Sequence, residues 1–252
     1  MINAMTFKHP LAITLILIAI TGCAEQKQSV KPGINERFKG DFAVGPWVER
    51  FESESREVFD HRQAIMSAVN AQPSDGIADI GAGTGFYTFM FADAVGPTGT
   101  VYAVDIARPF IDRIAQRAAE RKQSHIKPIR CAEDDANLPR ASIDKAFICD
   151  TYHHFEYPDA TMDSIAQAMR PGGDLYVIEF RRYAEGDGTD DAKWMALPQE
   201  RREWIRGHVR CDRATIIREI EAAGFQHDDD FAPVCNDLMA ENYLMRFTRN
   251  DS

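Results

Sequence analysis

Residues 78–85 read ADIGAGTG, where the end of an apolar strand runs directly into a glycine-rich turn. Residues 76–80 predict a buried strand, and residues 86–95 predict a helix. Glycine lets the backbone turn sharply and approach a ligand closely. In a dinucleotide-binding turn the third glycine would stand at position 86, where this chain has Phe86. The G-x-G-x-G spacing, together with Asp79 before it, therefore argues against a pyrophosphate site.

Strand and helix patterns alternate on both sides of this turn. Further strands are predicted at residues 100–105, 126–131, 145–149 and 174–180, with two more within 231–247. Further helices are predicted at residues 47–70, 109–122, 162–169 and 213–223. This alternation predicts an α/β fold with a mostly parallel sheet and helices on both faces, in a single domain over residues 41–252.

Three more motifs follow the glycine turn in chain order. Asp105 ends the second predicted strand. Residues 131–139 read CAEDDANLP and place an acidic cluster after the third strand. Residues 170–173 read RPGG and predict the turn before the fifth strand.

These motifs, in this order, resemble those of the class I S-adenosylmethionine-dependent methyltransferases, and the resemblance covers residues 46–250. It implies a Rossmann-like, seven-stranded, mostly parallel sheet. It also implies a methyltransferase with S-adenosyl-L-methionine as the methyl donor. The cofactor-binding residues that it implies are Asp79, Gly81, Ala82, Gly83, Gly85, Asp105, Ile106, Asp134, Asp135 and Asp150.

The resemblance assigns these residues different parts of the cofactor. The three glycines would line its methionine and ribose portions, and Asp79 would help to hold the methionine amino group. Asp105 would bind the ribose hydroxyls, and Ile106 would pack on the adenine. Either Asp134 or Asp135 would meet the adenine amino group, and the sequence leaves these two open.

Residues 150–155, DTYHHF, are the first candidate for the acceptor site, because they follow the fourth strand at the sheet edge where ligands bind. His153 or His154 could remove a proton from the acceptor near neutral pH. Tyr152 could orient the acceptor or contact the sulfonium by a cation–π interaction. The alternative is that one of the histidines only satisfies backbone groups.

A second candidate for the acceptor site lies in residues 204–210, WIRGHVR, after the fifth strand. His208 and Arg210 could bind an anion or polarise the acceptor. Surface ion pairs with the many acidic residues are the alternative interpretation.

The cysteines predict no metal site, because the five of them form no C-x-x-C pair. Cys131 and Cys149 lie at strand ends, where free cysteine usually acts as a small hydrophobic residue. Cys211 and Cys235 could pair in an oxidising compartment, and the sequence leaves this open.

The N-terminus predicts a targeting signal. Residues 11–20 form an apolar run that is too short to span a bilayer, and residues 20–23, ITGC, resemble a bacterial lipobox. We therefore expect residues 1–22 to be a signal peptide, and Cys23 to carry a lipid anchor on the periplasmic side of a bacterial envelope. Residues 23–40 would form a polar tether. A plain signal peptide or a buried N-terminal helix is the alternative; without lipobox processing, the protein would be cytoplasmic or membrane-associated.

The net charge limits which classes of methyl acceptor are expected. The formal net charge is −10, which makes nucleic acid an unfavourable partner and leaves a small molecule as the expected acceptor. A thiol or sulfide is weakly preferred, because a thiol ionises without a strong base. Methyl transfer to oxygen, nitrogen or a metalloid is the alternative, as is a non-catalytic ligand-binding protein of the envelope. The sequence does not decide the oligomeric state.

Overall fold

The computed structural model describes Met1, residues 28–53 and residues 56–250. Its sheet has seven strands in the order β3-β2-β1-β4-β5-β7-β6. Strands β1 to β5 pair in parallel, and β7 runs antiparallel to both β5 and β6. The strands are β1 (Gly76–Ile80), β2 (Thr100–Asp105), β3 (Ile126–Arg130), β4 (Ile143–Cys149), β5 (Met169–Phe180), β6 (Phe225–His227) and β7 (Asn242–Arg249). The predicted seven-stranded, mostly parallel sheet is therefore confirmed.

Helices cover both faces of this sheet. Met162 and Ile216 belong to the core on one face, and Ile65, Phe91 and Ile114 belong to the core on the other. The helices are α1 (Gly45–Phe51), α2 (Glu57–Asp60), α3 (Arg62–Val69), α4 (Phe86–Val95), α5 (Arg108–Glu120), α6 (Pro158–Ala168), α7 (Ala192–Ala196), α8 (Gln199–His208), α9 (Arg213–Ala222) and α10 (Val234–Leu238). Every residue of β1 is buried, as expected for a central strand covered on both sides.

The sheet order fixes where a ligand can bind. Strand β1 lies between β2 and β4, so the direction of strand addition reverses at this point. In open α/β sheets the crevice at such a reversal, outside the carboxyl ends of the strands, is the usual binding site. The glycine turn after β1, Asp105 at the end of β2 and Asp150 after β4 all lie at this edge.

The structure corrects two of the predicted elements. The single helix expected over residues 47–70 is three helices, because the backbone is extended at Arg56, before α2, and leaves the helical conformation again at His61, between α2 and α3. The segment 231–247 holds only one of the two strands expected there, since β6 forms directly after Gly224 and α10 occupies Val234–Leu238. Within the described residues, no helix is both long enough and apolar enough to cross a bilayer.

Candidate active site

The glycine turn is tightly packed against the loop that follows β4. Gly81 has a φ of +73°, and a Cβ added there would lie 2.2 Å from Cγ2 of Thr151. Gly85 has a φ of +84°, and a Cβ there would lie 2.8 Å from Cγ1 of Ile114 in α5. Both positions need glycine for its positive φ and for the absence of a side chain.

Asp105 holds the turn in place. Its Oδ2 accepts a hydrogen bond from the backbone N–H of Gly83 at 2.8 Å, and its Oδ1 accepts one from the N–H of Ala107 at 2.8 Å. Burial raises the pKa of Asp105 to about 6, although these backbone hydrogen bonds favour the carboxylate. Each carboxylate oxygen has a second lone pair, so Asp105 can still accept hydrogen bonds from a ligand.

Asp79 lies beside Asp105 on the floor of the site. Its Oδ2 accepts a hydrogen bond from the hydroxyl of Thr88 at 2.6 Å. Burial raises the pKa of Asp79 to about 7, and the charge of nearby Asp105 adds to this. A carboxyl with such a pKa is partly neutral at pH 7, and a cationic group bound nearby would favour its ionised form.

One cavity of about 530 Å³ covers this edge of the sheet. Its wall contains eight of the ten residues expected to bind the cofactor: Asp79, Gly81, Ala82, Gly83, Asp105, Ile106, Asp135 and Asp150. Gly85 and Asp134 are not part of that wall. Gly85 packs on Ile114 instead, and of the two rival carboxylates only Asp135 lines the cavity.

Asp150 is fixed from two sides. Its Oδ2 lies 2.5 Å from Nη2 of Arg56, and its Oδ1 accepts a hydrogen bond from Nδ2 of Asn242 at 2.7 Å. Burial raises the pKa of Asp150, and the guanidinium of Arg56 opposes that shift. Arg56 also lines the cavity, a role that the sequence analysis did not assign to it.

The other side of the cavity holds three histidines, His153, His154 and His208. His153 is buried in the 3₁₀ helix after β4, and His208 is the last residue of α8. The Nε2 atoms of His153 and His208 are 3.1 Å apart, and the rings of His153 and His154 are 4.4 Å apart between centroids. The two candidate clusters of the sequence thus meet at one place.

Tyr152 and Arg210 do not belong to this group, and their expected roles at the acceptor site are corrected. The hydroxyl of Tyr152 donates to Oε2 of Glu219 at 2.9 Å. Arg210 forms a two-pronged ion pair with the same carboxylate, at 2.9 and 2.6 Å. Neither residue lines the cavity; both bind Glu219 in α9 instead.

The N-terminal residues contact the site from outside the sheet. Nδ2 of Asn35 donates to the carbonyl of His154 at 2.9 Å, and Nζ of Lys31 donates to the carbonyl of His208 at 2.8 Å. Phe38 packs its ring 5.2 Å from that of Trp47, and both line the cavity. Residues 28–40, expected to belong to a tether, thus contact the domain; we call residues 28–42 the N-terminal strap.

The described cysteines are free thiols. Cys211 belongs to the core on one face of the sheet, and Cys235 belongs to the core on the other. The disulfide that the sequence left open is therefore absent, because the sheet separates the two sulfur atoms. Cys23 lies outside the described residues.

The chain is similar in sequence to known methyltransferases. Residues 78–175 match the family model described as a methyltransferase domain. The chain is 28% identical over 163 residues to nocamycin O-methyltransferase of Saccharothrix syringae, an overlap of 65% of this chain and 53% of that protein. It is also 28% identical over 120 residues to the ubiquinone/menaquinone biosynthesis C-methyltransferase UbiE of Burkholderia vietnamiensis, an overlap of 48% and 49%. The chain thus spans about half the length of these curated relatives.

Solved structures share the fold at low sequence identity. A SAM-dependent methyltransferase from Aquifex aeolicus aligns with a TM-score of 0.62 at 17% identity, over 82% of this chain and 99% of that one. The [4+2]-cyclase SpnF aligns with a TM-score of 0.57 at 16% identity, over 76% and 81%. The likeness to a cyclase shows that this fold alone does not fix the reaction.

The sheet order and the structural likeness define the class: this is the Rossmann-like fold of the class I methyltransferases. Within that class, residues 78–175 match the methyltransferase domain, and the relatives that the chain resembles are methyltransferases by name.

Proposed function

We propose that this protein transfers a methyl group from S-adenosylmethionine to a small-molecule acceptor. The observation that carries the proposal is a single cavity with two different ends. One end has the glycine turn with Asp79 and Asp105, and the other has the histidine cluster of His153, His154 and His208. Methyl transfer from a sulfonium is an in-line displacement, so a cavity that holds both reactants in line supplies most of the catalysis.

The cofactor end suits a nucleoside with a cationic tail. Asp105 would accept hydrogen bonds from the ribose hydroxyls, Ile106 would pack against the adenine, and Asp135 would lie near its amino group. Asp79 would pair with the ammonium group of the methionine portion. The acidic floor favours a donor that carries positive charge on both its amino group and its sulfur.

The acceptor end limits the kind of nucleophile. Burial and the neighbouring imidazoles lower the pKa of His154 to about 2 and that of His208 to about 4. Imidazoles with such pKa values are weak general bases at pH 7. This favours an acceptor that ionises easily, and we propose a small thiol or sulfide as the first choice. The curated relatives are named as O- and C-methyltransferases, so oxygen and carbon acceptors should be tested beside thiols.

Binding and turnover test the proposal separately. The full-length chain, purified in mild detergent, is titrated with S-adenosylmethionine and S-adenosylhomocysteine by calorimetry, and then incubated with labelled donor and panels of thiols, phenols, enols and amines. We expect binding of both cofactor forms and transfer to thiols. Absence of binding at millimolar concentrations would contradict the methyltransferase proposal and leave a ligand-binding protein of another specificity. Transfer to oxygen, carbon or nitrogen alone would remove the thiol.

The affinity for S-adenosylmethionine is expected to rise with pH between 5 and 8. Asp79 has a pKa of about 7 in the free protein, so most of it is neutral at pH 5 and the bound ammonium favours the carboxylate. Each pH unit below that pKa is expected to cost up to about tenfold in affinity. Asp79→Asn should bind more weakly and show a flatter pH profile. An unchanged profile in that variant would show that Asp79 is not the titrating group.

The same raised pKa values are expected to lower the stability of the ligand-free fold as the pH rises, whereas they raise the affinity for the cofactor. Asp79 and Asp105 hold protons more tightly in the folded protein than in the unfolded chain. The folded state therefore binds more protons between about pH 4 and 7, and these two groups make it less stable as the pH rises through that window. Urea denaturation of the ligand-free protein at pH 5 and pH 8 measures this, with Asp79→Asn reducing the difference.

We also propose that Cys23 carries a lipid anchor on the periplasmic side of the envelope. The support is the apolar run of residues 11–20 followed by the ITGC sequence, all of which lies outside the described residues. Metabolic labelling with a fatty acid tests it. Label is expected on the native chain and not on Cys23→Ala, and label on neither would contradict the anchor.

A further inference from the structure

Three imidazoles converge where the acceptor end of the cavity closes. One ring nitrogen from each of His153, His154 and His208 lies within 4.8 Å of the other two. The Nε2 atoms of His153 and His208 are 3.1 Å apart. Two imidazole nitrogens on a tetrahedral zinc ion, with bonds of about 2.0–2.1 Å, stand roughly 3.4 Å apart. We propose that these three histidines form a site for a divalent transition-metal ion of the zinc type, with an open coordination position toward the cavity.

A buried carboxylate orients the central ligand. Nδ1 of His153 donates a hydrogen bond to Oε2 of Glu179 at 2.8 Å, and the backbone N–H of His153 donates to the same oxygen at 3.1 Å. The other oxygen of Glu179 accepts the N–H of Phe180 at 2.8 Å. Both oxygens accept, so the proton of the imidazole is held on Nδ1 and the lone pair of Nε2 faces the other histidines.

This carboxylate–histidine pair is the arrangement that metal sites use to fix the tautomer and orientation of a ligand. Glu179 is fully buried, and its negative charge offsets part of the positive charge of an ion. Burial lowers the pKa of His154 and His208 and so keeps both imidazoles neutral, and the nearby charges of Lys31 and Arg37 add to this. Neutral imidazole is the form that binds metals.

The other two ligands are also held in place. Nδ1 of His154 is buried and has no hydrogen-bond partner within residues 28–53 and 56–250, a cost that coordination or a bound ligand would relieve. The ring of His208 stacks on Trp204 at 4.6 Å between centroids. The N-terminal strap fixes the backbone of both, through Asn35 and Lys31.

The ion would supply what the weakly basic histidines do not, and this role rests on the proposed function. A thiol acceptor that binds at the open position releases its proton to solvent and becomes a thiolate. Its sulfur then forms a bond to the methyl carbon as the bond between that carbon and the donor sulfonium breaks. The products are a thioether and S-adenosylhomocysteine. Metal binding itself does not depend on this step.

The test uses the full-length chain purified in mild detergent without a polyhistidine tag and stripped of metal with a chelator. Titration with Zn²⁺ is followed by calorimetry, and titration with Co²⁺ by its visible absorption. We expect one equivalent of each ion and the intense bands of tetrahedral Co²⁺. His208→Ala should weaken binding at least 100-fold. Glu179→Gln, which keeps its size, should weaken it about 10–100-fold, the range typical of an orienting carboxylate.

His125→Gln is the matched control, because His125 lies outside the cluster and bonds to the carbonyl of Ala92. It should bind as the native chain does. Binding well below one equivalent, or equal affinity in the native chain and His208→Ala, would overturn the site. Thermal melts establish that each variant is folded. Cofactor titration of the metal-free protein is read separately, so a failure to bind S-adenosylmethionine counts against the proposed function and not against the metal site.

Discussion

Gly81→Ala is expected to abolish detectable binding of S-adenosylmethionine and to destabilise the fold by about 2–5 kcal/mol. The positive φ of +73° contributes about 1–2 kcal/mol of this for a residue with a side chain. Collision of the new Cβ with Thr151, at 2.2 Å, adds about 1–3 kcal/mol of overpacking. Because the turn and the loop after β4 both line the cavity, relief of that collision moves the cofactor end relative to the acceptor end. Urea denaturation and calorimetry measure the two effects.

Gly224→Ala separates backbone strain from collision. Gly224 has a φ of +86°, but a Cβ there meets nothing within 4 Å. That variant should lose only the strain and keep full affinity for the cofactor. A second comparison places Thr151→Gly in the Gly81→Ala background, which removes the colliding atoms and should recover part of the stability. Native-like binding by Gly81→Ala would show that the turn does not form the cofactor end.

Asp105→Ala is expected to weaken binding of S-adenosylhomocysteine about 10–100-fold, equivalent to about 1–3 kcal/mol. Two causes contribute: loss of the acceptor for the ribose hydroxyls, and loss of the carboxylate that holds Gly83 and Ala107. An analogue without the two ribose hydroxyls tells them apart. If Asp105 binds the ribose hydroxyls, the substitution should weaken binding of the natural product strongly. It should weaken binding of the analogue much less.

Asp112→Ala controls for the removal of negative charge. Asp112 is an exposed acid of α5 that pairs with Arg108 on the same helix and does not line the cavity, so its loss should leave cofactor affinity unchanged. An equal loss of affinity for both ligands in Asp105→Ala would assign the whole effect to the turn. Unchanged affinity for the natural product would remove Asp105 from the site.

The parallel half of the sheet could be predicted from sequence because its strands are short apolar runs with clear stops. The observed strands β1 and β2 have the predicted bounds, and β3 is one residue shorter than predicted. The failures lie where tertiary contacts decide the structure. One break in the expected helix lies at Arg56, whose side chain pairs with Asp150, a residue 94 positions further along the chain. The segment after Gly224 folds according to its contacts with β7, which no local pattern reveals.

The cofactor end of the site was predictable for a geometric reason. Parallel strands bring their carboxyl ends to one edge, so acids at or just after the ends of β1, β2 and β4 lie near one another in space. The acceptor end of the site was harder to predict from the sequence. His153 and His208 meet only because α8 returns across the sheet edge, and Tyr152 turns away although it precedes His153 directly. No metal-ligand spacing marks three histidines brought together in this way.

The N-terminal strap has a consequence for where the protein meets its acceptor. The hydroxyl of Ser29 donates to Glu156, and Nζ of Lys31 donates to the carbonyl of His208 at the end of α8. Only residues 24–28 separate Ser29 from Cys23, and a chain of that length spans at most about 20 Å. If Cys23 is acylated, Ser29 is held within that distance of the lipid headgroups. The domain that carries the cavity would then stay beside the bilayer, where hydrophobic compounds concentrate.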